Sequence, residues 1–137
     1  MYSIVSTAIL HGIDSILVKV EADVSTGMPV FEMVGFLGSE VKEAKERVRT
    51  ALKNAGYQLP AKRITVNLSP AGLRKSGSGF DLPIAVAVMA ALGIIEEKRT
   101  KDILVIGEIG LDGTLQPIQG IFPIVLEAEK QGFLKCM

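Results

Sequence analysis

The feature that most constrains this chain is a run of 14 residues, from Leu82 to Ile95, without a charged or polar side chain. A helix over residues 83–95 would be apolar nearly all round, so it must be buried on most of its sides. The run is shorter than the roughly 20 residues of a membrane span, and it contains Pro83 and Gly93. It therefore predicts a central helix inside a folded domain.

Shorter patterned segments lie upstream of this helix. Apolar residues recur at spacings of three and four over residues 39–55, which predicts an amphipathic helix with Ser39 as its N-cap and Gly56 at its end. Asp81 is expected to cap the central helix in the same way. Four segments that are rich in β-branched residues or alternate apolar with polar predict strands, the first two as an antiparallel pair: 2–10, 13–22, 30–35 and 63–68.

The downstream third completes the predicted fold. Two apolar arms over residues 103–118 flank Asp112-Gly113, which favours a hairpin with a type I′ turn. A last helix is expected from about Pro123 through Lys130. The order β-β-β-α-β-α-β-β-α predicts one domain over residues 1–137. Its fold class is α/β (α+β): a two-layer sandwich in which helices cover one face of a mixed sheet.

The charges of the chain are unevenly distributed, although their formal sum is zero. Residues 42–75 hold nine Lys and Arg against two Glu, a net +7, so the rest carries −7. This split can steer anionic partners, or it can reflect an ordinary solvated helix face. The cations that we single out as nucleic-acid or interface residues are Arg49, Lys62, Arg63, Arg74 and Lys75, with Arg47 and Lys53 on the helix face of Arg49.

A glycine-rich loop precedes the central helix and reads Ser76-Gly77-Ser78-Gly79. Backbone N–H groups from Gly77 to Gly79 could contact phosphate oxygens and so position a nucleic-acid backbone. The loop matches neither nucleotide motif, because no Gly-Lys-Ser/Thr follows it and the G-x-G-x-x-G spacing fails. ATP binding by this chain is therefore not expected.

Catalytic and metal chemistry have few candidates. Ser76 or Ser78 could act as a nucleophile only with a base within reach. His11 is the only histidine, which disfavours a Ser-His-Asp triad and leaves a Ser-Lys dyad open. His11 and Cys136 form no ligand cluster, so no metal site is predicted. The single cysteine and the absence of a basic leader favour a cytoplasmic protein without a membrane segment.

Residues 47–93 carry a long and specific pattern: RVRTALKNAGYQLPAKRITVNLSPAGLRKSGSGFDLPIAVAVMAALG. With GEIGLDGTLQPIQG downstream, it resembles the N-terminal region of the ComM/YifB family of bacterial AAA+ ATPases, relatives of the magnesium chelatase ATPase subunit. The resemblance implies a Lon-protease-like domain of the ribosomal S5 domain 2-like type. It also implies that ATP and magnesium belong to a downstream AAA+ module absent here, so the abrupt end at Cys136-Met137 suggests a fragment.

The resemblance to Lon-like domains can be followed at the positions of their Ser-Lys dyad. Registered on Lys75-x-Gly77, the family's serine falls on Gly79, with Ser78 one position early. The family's lysine falls on Phe122, whose ring cannot accept a proton. The resemblance therefore implies a non-catalytic domain, with Ser78 as the weak alternative nucleophile of a peptidase.

For the parent protein, the resemblance implies a hexameric motor that remodels DNA, as in branch migration during natural transformation. This domain would then contact DNA, its own AAA+ module or a neighbouring subunit, without a membrane partner or a cofactor of its own. A peptidase and an accessory role in chelatase-type metal insertion are the alternatives. If the domain does not contact DNA, Arg74 and Lys75 are expected to pair with acids of a neighbouring subunit or of the ATPase module.

Overall fold

The computed structural model describes residues 1–11, 14–118, 121–133 and 135–137. The strands in this part of the chain are β1 (Tyr2–His11), β2 (Asp14–Ser25), β3 (Val30–Val34), β4 (Arg63–Ser69), β5 (Ile103–Leu104), β6 (Glu108–Ile109), β7 (Leu115–Gln116) and β8 (Lys135–Cys136). The helices are α1 (Ser39–Lys42), α2 (Ala44–Asn54), α3 (Asp81–Ala91) and α4 (Ile121–Lys130), with a short 3₁₀ turn at Glu97–Arg99.

Six strands form one mixed sheet in the order β3-β4-β2-β1-β5-β8. The pairs β1–β2 and β2–β4 are antiparallel, while β3–β4, β1–β5 and β5–β8 are parallel. The predicted antiparallel pair at the N-terminus is confirmed, and so is the mixed sheet. The alternation of β2 fixes which side is covered, because Val18, Val20, Ala22 and Val24 point to one face and are buried there.

Helix α3 lies at the centre of the domain, as its apolar run predicts. Its side chains are buried around most of the helix, and Ile84, Ala87 and Val88 are fully inaccessible. Ser3 of β1 donates its hydroxyl to the Ala87 carbonyl at 2.6 Å, which satisfies a buried polar group. Burial of each large aliphatic side chain contributes about 1.5–3 kcal/mol, so this helix organises the main core.

The prediction that all helices cover one face of the sheet is wrong for α4. The main core, which includes residues of α1, α2 and α3, lies on the Val5 side of β1. Ile124 and Ala128 of α4 instead pack in a second cluster with Ala8 and Leu17. Successive side chains of a strand point to opposite faces, so α4 covers the other face. The amphipathic pattern of α4 predicts a buried stripe but not the side of the sheet that receives it.

The predicted helix over residues 39–55 is present, but it is divided into α1 and α2 at Glu43. Ser39 is the first helical residue rather than the N-cap, which is Gly38. The predicted stop is confirmed, since Gly56 has a φ of +95°. The Gly56 N–H donates to Lys53 O at 3.1 Å and the Tyr57 N–H to Leu52 O at 2.7 Å. These two bonds form a Schellman motif.

The predicted 103–118 hairpin is partly correct. Its first arm joins the main sheet as β5, and β6 and β7 form a separate antiparallel pair. The prediction of a type I′ turn is wrong, because that turn requires a positive φ at both central residues. Gly113 has a φ of +91°, whereas Asp112 does not have a positive φ. The Asp112 carboxylate accepts bonds from the N–H and the hydroxyl of Thr114, and these bonds lower the pKa of Asp112. The Asp112 side chain therefore stabilises a turn that is not type I′.

Candidate functional site

The serine–glycine loop, residues 76–79, lines an open cleft of about 470 Å³ that we call the serine cleft. Ser76 is exposed and Ser78 is half-buried. The opposite wall is apolar and comes from β1, the segment between β5 and β6, the segment after β7, and α4. The described residues that line the cleft are Ala8, Ile9, Leu10, Ser76, Gly77, Ser78, Gly79, Phe80, Ile106, Pro117, Ile118 and Ile124. None of these side chains is titratable, so the described lining residues offer two hydroxyl groups and no proton acceptor of their own.

One backbone amide of the serine–glycine loop is already bound to a carboxylate of the same chain. The Gly77 N–H donates to Glu40 Oε1 at 2.9 Å. This bond lowers the pKa of Glu40, with a smaller contribution from the Arg74 charge. The proposed contact between Gly77 and a phosphate would therefore have to displace Glu40, an acid that the sequence pattern did not connect with this loop.

Lys75 does not present its charge to solvent, and this part of the sequence prediction is wrong. Its side chain is fully buried. The ammonium donates to the carbonyls of Gly35, at 2.8 Å, and Pro70. The Lys75 backbone also bonds to Phe36 and Gly38. Burial lowers the pKa of Lys75, because a charged amine loses hydration there. Lys75 therefore fastens two loops together, and its replacement should not leave stability unchanged.

Asp81 does not cap α3 through its side chain, and Arg47 is not a free cation. The N-cap of α3 is Phe80. The fully buried Asp81 carboxylate accepts Arg47 Nε at 2.8 Å and Arg47 Nη2 at 2.9 Å. It also accepts the Ile109 N–H at 3.1 Å. The pKa of Arg47 is raised chiefly by its hydrogen bond to Asp81. This bidentate pair joins α2, α3 and the β6–β7 hairpin.

Most of the remaining predicted cations lie in two separate groups, at opposite ends of the paired strands β3 and β4. Arg49 and Lys62 meet at the end where β3 and β4 begin, together with Lys53. Arg74 lies near Gly38, just beyond the other end of β3. Strand β4 alone spans about 20 Å, so the predicted cations do not form one surface. Arg63 pairs with Glu32 at 3.4 Å on the sheet face, and both side chains are about half exposed.

Arg49, Lys53 and Lys62 border a groove of about 530 Å³, which we call the cationic groove. Its described lining residues are Pro29, Val30, Phe31, Arg49, Lys53, Gln58, Leu59, Pro60, Ala61, Lys62 and Ile64, and none of them is acidic. The Arg49 guanidinium lies 5.8 Å from the centroid of the Phe31 ring and 3.9 Å from Glu46. The exposed Glu46 pair is weak, so the groove keeps an excess of positive charge suited to an anion.

Comparison with known proteins agrees with the sequence pattern. The family model described as "ChlI: Subunit ChlI of Mg-chelatase" matches residues 20–137. The chain belongs to this family. Competence protein ComM of Haemophilus influenzae is 44% identical to this ChlI-family chain over 119 residues, 87% of the chain and 23% of that protein. The uncharacterized protein YifB of Escherichia coli is 42% identical over 130 residues, 95% of the chain and 26% of that protein.

These matches confirm the resemblance to the ComM/YifB family. The ChlI-family chain spans about a quarter of the length of the curated relatives it matches. A Lon protease of Dictyoglomus thermophilum is also similar, with 35% identity over 120 residues, which is 82% of this chain and 15% of that protein. The likeness to Lon supports the Lon-like part of the fold prediction, whereas the ribosomal S5 domain 2-like type stays a prediction.

The two positions registered with the Lon dyad lie at or near the serine cleft of this ChlI-family chain. Gly79 lines the cleft, and a Cβ there would lie 3.1 Å from Cγ1 of Ile106. A serine at this position would therefore require Ile106 to move. Phe122 is in the first turn of α4, two residues before the cleft residue Ile124, and is 69% exposed. Gly79 has no functional group and the ring of Phe122 is not ionisable, so neither residue can act in a proton transfer.

Over residues 1–11, 14–118, 121–133 and 135–137, no group of three or more His, Cys, Asp or Glu is placed to hold a metal ion. No helix among those residues is long and apolar enough to cross a bilayer. A role in metal insertion and a location in the cytoplasm both stay predictions.

Proposed function

We propose that this chain is a non-catalytic domain of a magnesium chelatase-like AAA+ ATPase that remodels DNA, and that it contacts DNA through the cationic groove. ATP and magnesium would be bound by the AAA+ module of the longer protein, and the domain would work within a hexamer. Membership of the ChlI family and the similarity to a competence protein support this assignment.

The observation that carries the proposal is the grouping of Arg49, Lys53 and Lys62 around one groove without an acid among its described lining residues. Arg49 and Lys53 are one helical turn apart on α2, and Lys62 faces them from the segment before β4. Three cations around one concave surface can neutralise phosphates of a bound nucleic-acid backbone. Contacts of this kind position DNA without reading its sequence.

Arg74 and the serine–glycine loop are a second possible contact with DNA or with a neighbouring subunit. Arg74 is exposed, but it lies close to Gly38 and to the carboxylate of Glu40. The acid offsets part of its charge, so we assign Arg74 a smaller share of the affinity than the cationic groove.

The proposal is tested by fluorescence anisotropy of labelled DNA titrated with the purified chain at low salt. The triple variant Arg49→Ala, Lys53→Ala, Lys62→Ala should weaken binding at least about tenfold. It should also reduce the slope of log affinity against log salt by roughly 2 to 3, since each phosphate contact contributes about 0.7 to 0.9.

A charge-matched control separates the groove from net charge. The variant Lys98→Ala, Lys101→Ala, Lys130→Ala removes three exposed cations that do not line the groove. It should keep most of the affinity and the salt slope. Equal losses in the two triple variants, or no binding by the wild type at low salt, would remove the groove from the proposal.

A peptidase is the second candidate, because the serine cleft holds Ser76 and Ser78. Its mechanism would need a base that the described lining residues do not supply. A fluorophosphonate probe discriminates between the two functions. We expect no labelling of the wild type beyond that of Ser78→Ala, whereas labelling that disappears in Ser78→Ala would establish an activated serine.

A further inference from the structure

The segment that leaves α2 carries an exposed aromatic residue directly before the residues that line the cationic groove. Tyr57 follows Gly56 in the Schellman motif, and its N–H is bonded to Leu52 O at 2.7 Å. The Tyr57 side chain is 47% exposed. The next residue, Gln58, begins the run of five consecutive groove-lining residues that ends at Lys62. The backbone of Tyr57 is therefore fixed one residue before the run that lines the groove.

Tyr57 is the exposed aromatic residue suited to this groove in the part of the chain that the structure describes. Phe31 lines the groove, but it is 5% exposed and lies beneath Arg49. The other exposed aromatic residues are elsewhere: Tyr2 donates to Glu21 on the sheet face, Phe36 follows the far end of β3, and Phe122 is on α4.

The walls of the groove combine charge with apolar surface. Val30, Leu59, Pro60 and Ile64 line the groove together with the three cations. Phosphates alone would need only the cations, whereas an unpaired nucleotide also presents a sugar and the flat face of a base. Proteins that hold single strands combine a positively charged groove with aromatic side chains on which bases stack.

Resting on the proposed function, we infer that the cationic groove binds single-stranded DNA and that Tyr57 stacks on one of its bases. In a duplex the base faces are already covered by neighbouring bases, so Tyr57 has no free partner there. The groove should therefore prefer a single strand to a duplex, and the preference should depend on the ring of Tyr57 rather than on its hydroxyl.

Intrinsic fluorescence gives a direct test, because the chain has two tyrosines and no tryptophan. The variant Tyr2→Phe leaves Tyr57 as the only tyrosine. Its emission should be quenched when an oligothymidylate of about 12 nucleotides is added at low salt, after correction for absorption by the oligonucleotide. A duplex of the same length should quench less at equal occupancy.

Anisotropy of the same oligonucleotides supplies the second readout. Tyr57→Ala should weaken binding of the single strand about fivefold to hundredfold, as expected for the loss of one stacked base. Tyr57→Phe should retain most of the affinity, and neither variant should change the salt slope, because phosphate contacts are kept. Thermal unfolding of both variants checks that the end of α2 is intact.

The outcomes separate the inference from the proposed function. If Tyr57→Ala binds the single strand as the wild type does, or if the duplex binds more tightly, the stacking inference is overturned while groove binding stands. If the Arg49, Lys53 and Lys62 variant loses no affinity for either oligonucleotide, the proposed function falls and the inference falls with it.

Discussion

Removal of the Asp81 carboxylate should destabilise the domain strongly. This fully buried group accepts three hydrogen bonds, two from Arg47 and one from the Ile109 N–H. In Asp81→Ala, Arg47 loses its buried partner, which costs about 3–5 kcal/mol in comparable pairs, and an orphaned buried amide costs about 1–3 kcal/mol. The Arg47 side chain is 23% exposed and keeps its bond to the Glu40 carbonyl. We therefore expect the free energy of unfolding to fall by about 3–4 kcal/mol.

Urea unfolding followed by circular dichroism measures this loss, which corresponds to a decrease of about 10–14 °C in Tm for a domain of this size. Glu43→Ala is the control: its carboxylate is 3.6 Å from Arg47 but 70% exposed, so the change should stay within about 1 kcal/mol. The double variant Arg47→Met, Asp81→Leu should be more stable than Asp81→Ala, because no unpaired charge is left buried. A loss in Asp81→Ala no larger than that in Glu43→Ala would refute this reasoning.

Backbone strain and ionisable groups give three further tests. Gly35→Ala should lower the free energy of unfolding by more than about 2 kcal/mol, since Gly35 has a φ of +118° and a Cβ would clash with the Leu68 carbonyl. Gly56 also has a positive φ, +95°, but a Cβ there would meet open space. Gly56→Ala should therefore cost less stability when both variants are compared by thermal unfolding. Because the pKa of Lys75 is lowered in the folded state, the unfolded chain binds more protons at alkaline pH. The stability of the wild type relative to Lys75→Met should therefore rise from pH 7 to pH 10. A stability difference that does not change with pH would contradict this. The lowered pKa of Glu40 predicts that the wild type is more stable than Glu40→Gln at pH 7 and that this difference shrinks as the pH falls below 4. Urea unfolding at a series of pH values measures the difference. A difference at pH 3 equal to that at pH 7 would exclude this contribution.

The elements that the sequence predicted well are those with strong local patterns. The apolar run of α3 has only one stable environment, and the alternation of β2 sets both its strand and its buried face. The stop at Gly56 was also readable, because a left-handed residue after a helix favours glycine. In each case the deciding interactions lie within a few residues of one another.

The site could not be predicted to the same degree, because its contacts join residues far apart in sequence. Arg47 meets Asp81 across 34 positions, and the Lys75 ammonium reaches Gly35 across 40. From the sequence alone, Arg47 and Lys75 are expected to be surface charges, because their partners become adjacent only in the folded structure. The grouping of cations into two sets likewise depends on where β4 begins and ends. An isolated tyrosine such as Tyr57 carries no functional signal in the sequence, because its significance depends on a groove that only the fold creates.

The register of β1 and β2 also bears on how the chain reaches its fold. Ten residue pairs join these strands, which are adjacent in sequence and central in the sheet. Local hairpins form within about 1–10 μs, whereas strands recruited from distant segments close slowly. We expect residues 2–25 to assemble first and to offer one edge to β4 and the other to β5. The N-terminal ribbon would then act as the template on which the later strands are ordered.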